Sequence, residues 1–350
     1  MRIRARVMTG LTALGLVAGG VPAAAVPATH GYIFDATNRA VTGFDPATNT
    51  ITDRIPLGFQ ADLRVRPDGR ELYAANITAN SGVAVISTAS NTVVATIAVT
   101  APRGLVFAPD GRRAYLISDR SLAVIDTGTR RVVRTIAIPG FPYAPAVSPD
   151  GSRIYVGFDP STGSGRQVAV ISTATLALTR TIPLVDGRAA SHLAFAPDGR
   201  LALVNTGDVI DTTTETVVRS IPGVSGVDLV FTPDGARVYL AEFCAPRSVG
   251  SVRVLDLASG QVRTIFTGGN PNTVAPTPDF GRLYVSLASG GDVVVFDTAT
   301  NGIVDNFGVA SPASGAPLLS RVLLSATAPP VSGPGQRFGP VSDARNLCNI

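Results

Sequence analysis

The chain has 350 residues, 45% of them hydrophobic and 15% charged, with a formal net charge of +4. That length and apolar content allow a large buried core and argue against a disordered chain. Two cysteines, two histidines and no tryptophan argue against a disulfide-dense scaffold and against a histidine-rich copper, haem or zinc site.

In chain order, the first 25 residues stand apart. Arg2, Arg4 and Arg6 make a positive start, residues 7–21 are apolar but loosened by glycine, and Ala23, Ala24 and Ala25 supply a small-residue cleavage site. This pattern predicts a secretory leader cut after Ala25, with Ala28 as the second choice, and it is too short for a stable membrane span. The expectation is a secreted protein, extracellular or periplasmic where the cell has an outer membrane. Loss of the three arginines takes the formal charge from +4 to +1. The basic balance is then no sign of a nucleic-acid partner. No other stretch predicts a membrane span.

From residue 26 to 325 the chain alternates short Val-, Ile- and Thr-rich runs with turns. Pro-Asp-Gly turns begin at Pro67, Pro109, Pro149, Pro197 and Pro233, and Pro-Asp-Phe-Gly begins at Pro278, with gaps of 36 to 48 residues. A second series of turns starts at Asp45, Ser87, Asp126, Ser172, Asp211, Asp256 and Asp297. A period in the forties with strands and no helical pattern predicts a β-propeller. Proline pre-sets the turn, aspartate bonds nearby amides and glycine takes the positive φ, so these aspartates read as structural. Seven turns of the second series against six of the first imply one blade split between the chain ends. Residues 31–37, 40–45 and 51–57 supply its outer three strands, and residues 316–325 its innermost. The expected fold is all-β: a seven-bladed propeller of four-stranded antiparallel blades, closed by pairing of the terminal strands. Residues 326–350 form a Gly/Pro-rich tail.

Candidate site residues come from aligning the repeats on the turn proline. Five places before it stand Asp62, Gly104, Ala144, His192, Asp228 and Thr273; six before stand Ala61, Arg103, Tyr143, Ser191, Val227 and Asn272. Polar types are frequent here, at the start of each innermost strand, where propeller loops gather on one face around the channel. Asp62, His192 and Asp228 share one position on three blades, so two carboxylates and an imidazole would line the channel mouth. They suit a divalent cation or an acid–base pair. The blander reading, a hydrated channel mouth with ordinary polar lining, is the one favoured, and no cofactor is expected. Arg103 and Tyr143 suit an anionic or sugar-like ligand, and Asn272 completes the set. Cys244 and Cys348 form an even pair in an exported chain, which suggests one disulfide tying the tail to the sixth repeat; two unpaired thiols are the alternative. No CxxCH, GxSxG or phosphate-loop pattern is present.

The repeats resemble the YVTN family of β-propeller repeats. The matching segments are LYAAN at 72–76 with VAVIS at 83–87 and TVVATI at 92–97, and AYLIS at 114–118 with LAVIDT at 122–127. Further on come VSPDGSRIYVG at 147–157 with VAVIST at 168–173, FTPDGARVYLA at 231–241, and RLYVS at 282–286 with VVVFDTATN at 293–301. The resemblance covers about residues 31–325. It implies the fold and brings no shared catalytic motif. Function is accordingly expected to be non-catalytic binding of a protein, glycan or small ligand through the loop face and channel mouth, by a monomer. The alternative is a propeller enzyme of the lactonase or lyase kind. A third reading, packing within a cell envelope, predicts apolar patches on the outer strands.

Overall fold

A computed structural model describes residues 30–78, 82–161, 165–185, 190–242, 250–288 and 291–309, and the backbone of 319–325. These residues form 28 strands in seven four-stranded antiparallel sheets. The protein is a seven-bladed β-propeller. Blade 1 is split as the turn count predicts: Leu319–Ser325 is innermost, followed by His30–Asp35, Ala40–Asp45 and Thr50–Pro56. Blades 2 to 7 span 61–97, 102–137, 140–183, 193–220, 228–267 and 271–308. At the seam His30 pairs with Ser325, Tyr32 with Leu323 and Ile33 with Val322. The ring therefore has no open inner edge. The described part of the innermost strand is Leu319–Ser325, and residues 316–318 of the expected strand lie outside the described residues. The expected leader (1–25), the tail (326–350), Cys244 and Cys348 lie outside the described residues. Among the described residues no helix is long and apolar enough to cross a membrane.

The turn chemistry works as the residues dictate. In all six proline turns the aspartate Oδ1 accepts the N–H two residues on, from Arg70, Arg112, Ser152, Arg200, Ala236 and Gly281, at 2.9–3.1 Å. The residue after the proline-aspartate pair has φ near +70° where it is glycine, and Phe280 takes that place in blade 7 at φ 57°. Within each of five blades a threonine then ties the second turn to the first: Thr88 donates to Gly69 O, Thr127 to Gly111 O, Thr173 to Gly151 O, Thr212 to Gly199 O and Thr298 to Phe280 O, at 2.5–2.7 Å. Both turn series lie on one face, and these bonds stiffen it.

The core lies between blades. The tyrosine of the repeat is buried in six of seven blades, as Tyr32, Tyr73, Tyr115, Tyr155, Tyr239 and Tyr284; blade 5 has Leu203 in that register. These rings pack on the next blade, Tyr73 edge-on to Phe107 at 4.9 Å and Tyr155 to Phe195 at 4.8 Å. Aromatic pairs of this kind add about 0.5–1.5 kcal/mol beyond area burial. Two hydroxyls also cross the boundary: Tyr239 donates to Asn301 Oδ1 and Tyr284 to Asn49 Oδ1, both at 2.8 Å. The outer strands carry exposed pairs such as Val93–Val94, Val132–Val133 and Ile303–Val304. In every blade the pairing of third with fourth strand shifts register at a bulge, which twists the rim edge away from strand addition.

Candidate functional site

The aligned position at the start of each innermost strand is the place where adjacent blades meet near the axis. Asp62, His192 and Asp228 are buried, at 1%, 0% and 1% exposure. Their side chains do not stand in an open mouth. Asp62 Oδ2 accepts the N–H of Leu105 in blade 3 at 3.3 Å, and Asp228 Oδ2 accepts the N–H of Val274 in blade 7 at 3.0 Å. Leu105 and Val274 each lie four residues before their own turn proline, so the two bonds are the same bond repeated. The other Asp62 oxygen accepts from Arg64 at 3.0 Å, within a nearly solvent-free ion pair, and Asp228 Oδ1 accepts from Leu229 N–H.

His192 sits in a related bridge. Its N–H donates to Asn205 Oδ1 at 3.2 Å, and the Asn205 amide donates to Ser191 Oγ and to Gly226 O on the approach to blade 6. The His192 Nδ1 lies 3.0 Å from Ser191 Oγ. On blades 3, 4 and 7 the position is filled by the small residues Gly104, Ala144 and Thr273 at close quarters. A Cβ on Gly104 would come 2.9 Å from Ala144 Cα, and Thr273 shares a hydroxyl bond with Ser286 at 2.8 Å. Period two along a strand predicts that positions four and five before the proline face opposite ways. It does not predict that both faces are covered, one by each neighbouring blade. That is why residues read as channel lining are boundary residues. Among the described residues, no three His, Cys, Asp or Glu side chains converge as a metal-binding group.

The residues one place earlier differ. Arg103 is exposed, and Tyr143 and Asn272 are half-buried. Tyr143 Oη donates to Asp159 Oδ2 at 2.8 Å, and the Arg166 guanidinium pairs with that same oxygen. Two residues before Tyr143, Phe141 is 53% exposed, with the Arg120 guanidinium 4.1 Å from its ring centre. Phe141 and Arg120 escaped the repeat alignment because neither sits at the aligned positions. The signal present was the aromatic–proline–aromatic run at 141–143. The loop face thus presents a cation–aromatic pair beside Tyr143, Asp159 and Arg166. It offers contact chemistry for aromatic, sugar or acidic groups.

The second-series turn aspartates behave as structural groups. Hydrogen bonds from Thr129, Thr214, Ser259 and Thr300 hold the carboxyls of Asp126, Asp211, Asp256 and Asp297 below the ordinary value of 3.8. Burial, with a smaller push from Asp53, raises Tyr32 to about 12, and burial raises Tyr73 further. Neither phenol is a proton donor or acceptor near neutral pH.

Comparison with known proteins agrees with this architecture. The chain is 32% identical over 143 residues to the seven-bladed beta-propeller protein Rv1057 of Mycobacterium tuberculosis, covering 39% of this chain and 35% of that protein. It is 27% identical over 140 residues to the uncharacterized protein YncE of Salmonella typhimurium, covering 36% and 37%. The first of these relatives is itself named a seven-bladed propeller, the architecture that the seven sheets of this chain form. The chain spans little more than a third of either relative. No protein-family model matches. Among solved structures, the chain resembles Kuenenia stuttgartiensis hydrazine synthase with TM-score 0.59 and 24% identity, over 67% of this chain and 75% of that one. It also resembles the dihydro-heme d1 dehydrogenase NirN in complex with DHE, with TM-score 0.61 and 18% identity, over 89% and 73%. A functionally unknown protein from Desulfotomaculum acetoxidans gives TM-score 0.62 and 18% identity, over 83% and 98%. Likeness at these identities is a likeness of fold alone.

Proposed function

We propose that this propeller, a YVTN-type repeat protein by its sequence, is exported and acts as a non-catalytic binding scaffold through its loop face. One observation carries the reading. The side chains best suited to acid–base or metal chemistry, Asp62, His192 and Asp228, are buried at blade boundaries and engaged with backbone amides or with Ser191. What remains outward on that face is recognition chemistry: Arg103, Tyr143, Asn272 and the Phe141–Arg120 pair. Rigid blades with varied loops are a common platform for binding. The ligand classes that fit are an acidic or aromatic protein surface and a glycan.

Full-length protein expressed in an exporting host and recovered from the culture fluid tests both halves. N-terminal sequencing is expected to find the chain starting after Ala25. A glycan array and an acidic peptide array, probed with wild type and with Arg103→Ala/Phe141→Ala, are expected to show retention that the double variant loses. Turnover of a lactone or ester panel that His192→Ala abolishes, while its fold and thermal midpoint hold, would replace this reading with the enzyme one.

A further inference from the structure

Residues 72–102 contain no Asp, Glu, Lys or Arg, a run of 31 residues. Elsewhere between residues 30 and 325 no uncharged run exceeds 15 residues. The long run takes in all but the first residue of the outer three strands of blade 2, which end at the rim in Thr92–Ile97. That rim strand exposes Thr92, Val93, Val94 and Thr96, the two valines at 46% each.

The other blades supply the comparison. Ala95 follows the bulge of its strand and pairs with Val85. At the matching place stand Asp53 in blade 1, Arg134 in blade 3, Arg180 in blade 4, Arg219 in blade 5 and Asp305 in blade 7. In blade 6 the bulge lies further along, and that rim strand carries Arg263. Six rim strands therefore hold a charge near their middle, and the blade 2 strand holds none. Charges and bulges are the two devices that keep sheet edges from associating. All seven blades have the bulge, and blade 2 alone lacks the charge.

The partner this strand fits best is its own copy. At a two-fold contact each strand meets itself, so a central arginine or aspartate would oppose its own like charge. The blade 2 strand escapes that opposition. Thr92-Val93-Val94-Ala95-Thr96 also reads nearly alike in both directions. Antiparallel apposition sets Val94 at the axis, Val93 opposite Ala95 and Thr92 opposite Thr96. We infer that two copies of this chain associate rim to rim through the outer strand of blade 2, where a monomer was the expectation. Val94 is the extra residue of the bulge, so the contact is between side chains and does not continue the sheet. One strand offers less than the roughly 800 Å2 that each partner buries in a standard interface, so the dimer is weak, with a Kd that is roughly micromolar or above. The rim is separate from Arg103 and Phe141, so the inference does not rest on the loop-face reading.

Sedimentation velocity of the full chain, from low micromolar to near-millimolar concentration, tests it. The wild type is expected to pass from monomer to dimer across that range. Ala95→Arg installs the residue that blades 3, 4 and 5 carry at this place. It is expected to weaken the dimer by at least about tenfold and to leave the thermal midpoint of the dilute protein unchanged. Val94→Arg, at an exposed position, is expected to do the same and keeps the test decisive if half-buried Ala95 does not accept the longer side chain. Arg103→Ala/Phe141→Ala is expected to dimerise as the wild type does. A wild-type chain that stays monomeric at every concentration, or a dimer of wild-type strength in the folded rim variants, would overturn the inference.

Discussion

The backbone N–H of Leu105 donates to the carboxylate of Asp62 across the boundary between blades 2 and 3. The Val274–Asp228 bond repeats it between blades 6 and 7. A carboxylate inside a propeller, at the place where ligands are commonly sought, is holding the ring together.

Removing these carboxylates should destabilise the fold unequally. Asp228→Ala leaves the Val274 amide without its acceptor, at about 1–3 kcal/mol. Asp62→Ala does this to Leu105 and also strips Arg64 of a nearly solvent-free partner, a change worth about 3–5 kcal/mol. Urea unfolding is expected to rank them in that order, with Asp62→Ala/Arg64→Met recovering part of the loss.

The tyrosine bonds between blades make a second prediction. Tyr284→Phe removes donation to Asn49 Oδ1 and to Pro46 O, at 2.8 and 2.9 Å, and keeps the ring packing. A loss of about 1 kcal/mol is expected. Tyr155→Phe, whose Oη is buried without a hydrogen-bond partner, is expected to be close to neutral in the same urea measurement.

Much of this was legible in the sequence, and the limit is physical. Turn spacing and the surplus second-series turn placed the seam, since both record how many hairpins the chain makes. The tyrosine and Pro-Asp-Gly positions were legible because each blade must satisfy the same neighbour. Asp62, His192 and Asp228 were correctly placed on their strands but misplaced relative to solvent. Alternation along one strand says nothing of what the next blade covers. The Glu71 bridge on the turn face was invisible because its arginines, Arg66 and Arg130, come from different blades.

Backbone strain at the second-series turn is balanced by side-chain contacts. Its fifth residue has positive φ in every blade, as Asn49, Asn91, Arg130, Leu176, Glu215, Gly260 and Asn301. Leu176 sits at φ 51°, where a branched aliphatic side chain is disfavoured by roughly 1 kcal/mol. Leu176 also packs on the core shared by blades 3 and 4, so Leu176→Asn is expected to leave the unfolding midpoint near that of wild type, relief of strain offsetting lost burial. Glu215→Gly should lower it, because Glu215 pairs with Arg153 at 2.9 Å.

Acid stability follows from the turn carboxyls. Asp126, Asp211, Asp256 and Asp297 have folded values lowered from 3.8 by turn hydrogen bonds. Their contribution is complete above the unfolded value and is lost as pH falls through it toward the folded one. The urea midpoint is expected to be flat from about pH 7 to 5 and to drop below about pH 4. Asp297→Asn should make that drop shallower.

The pairing of His30–Asp35 with Leu319–Ser325 is the element on which the closed ring depends. Amide hydrogen exchange at residues 31–35 tests it, comparing the full chain with chains ending at 325 and at 318. The closed ring predicts strong protection in the full chain and in the chain ending at 325. It predicts loss of that protection, with a lower unfolding midpoint, in the chain ending at 318. Equal protection in all three chains would contradict the seam.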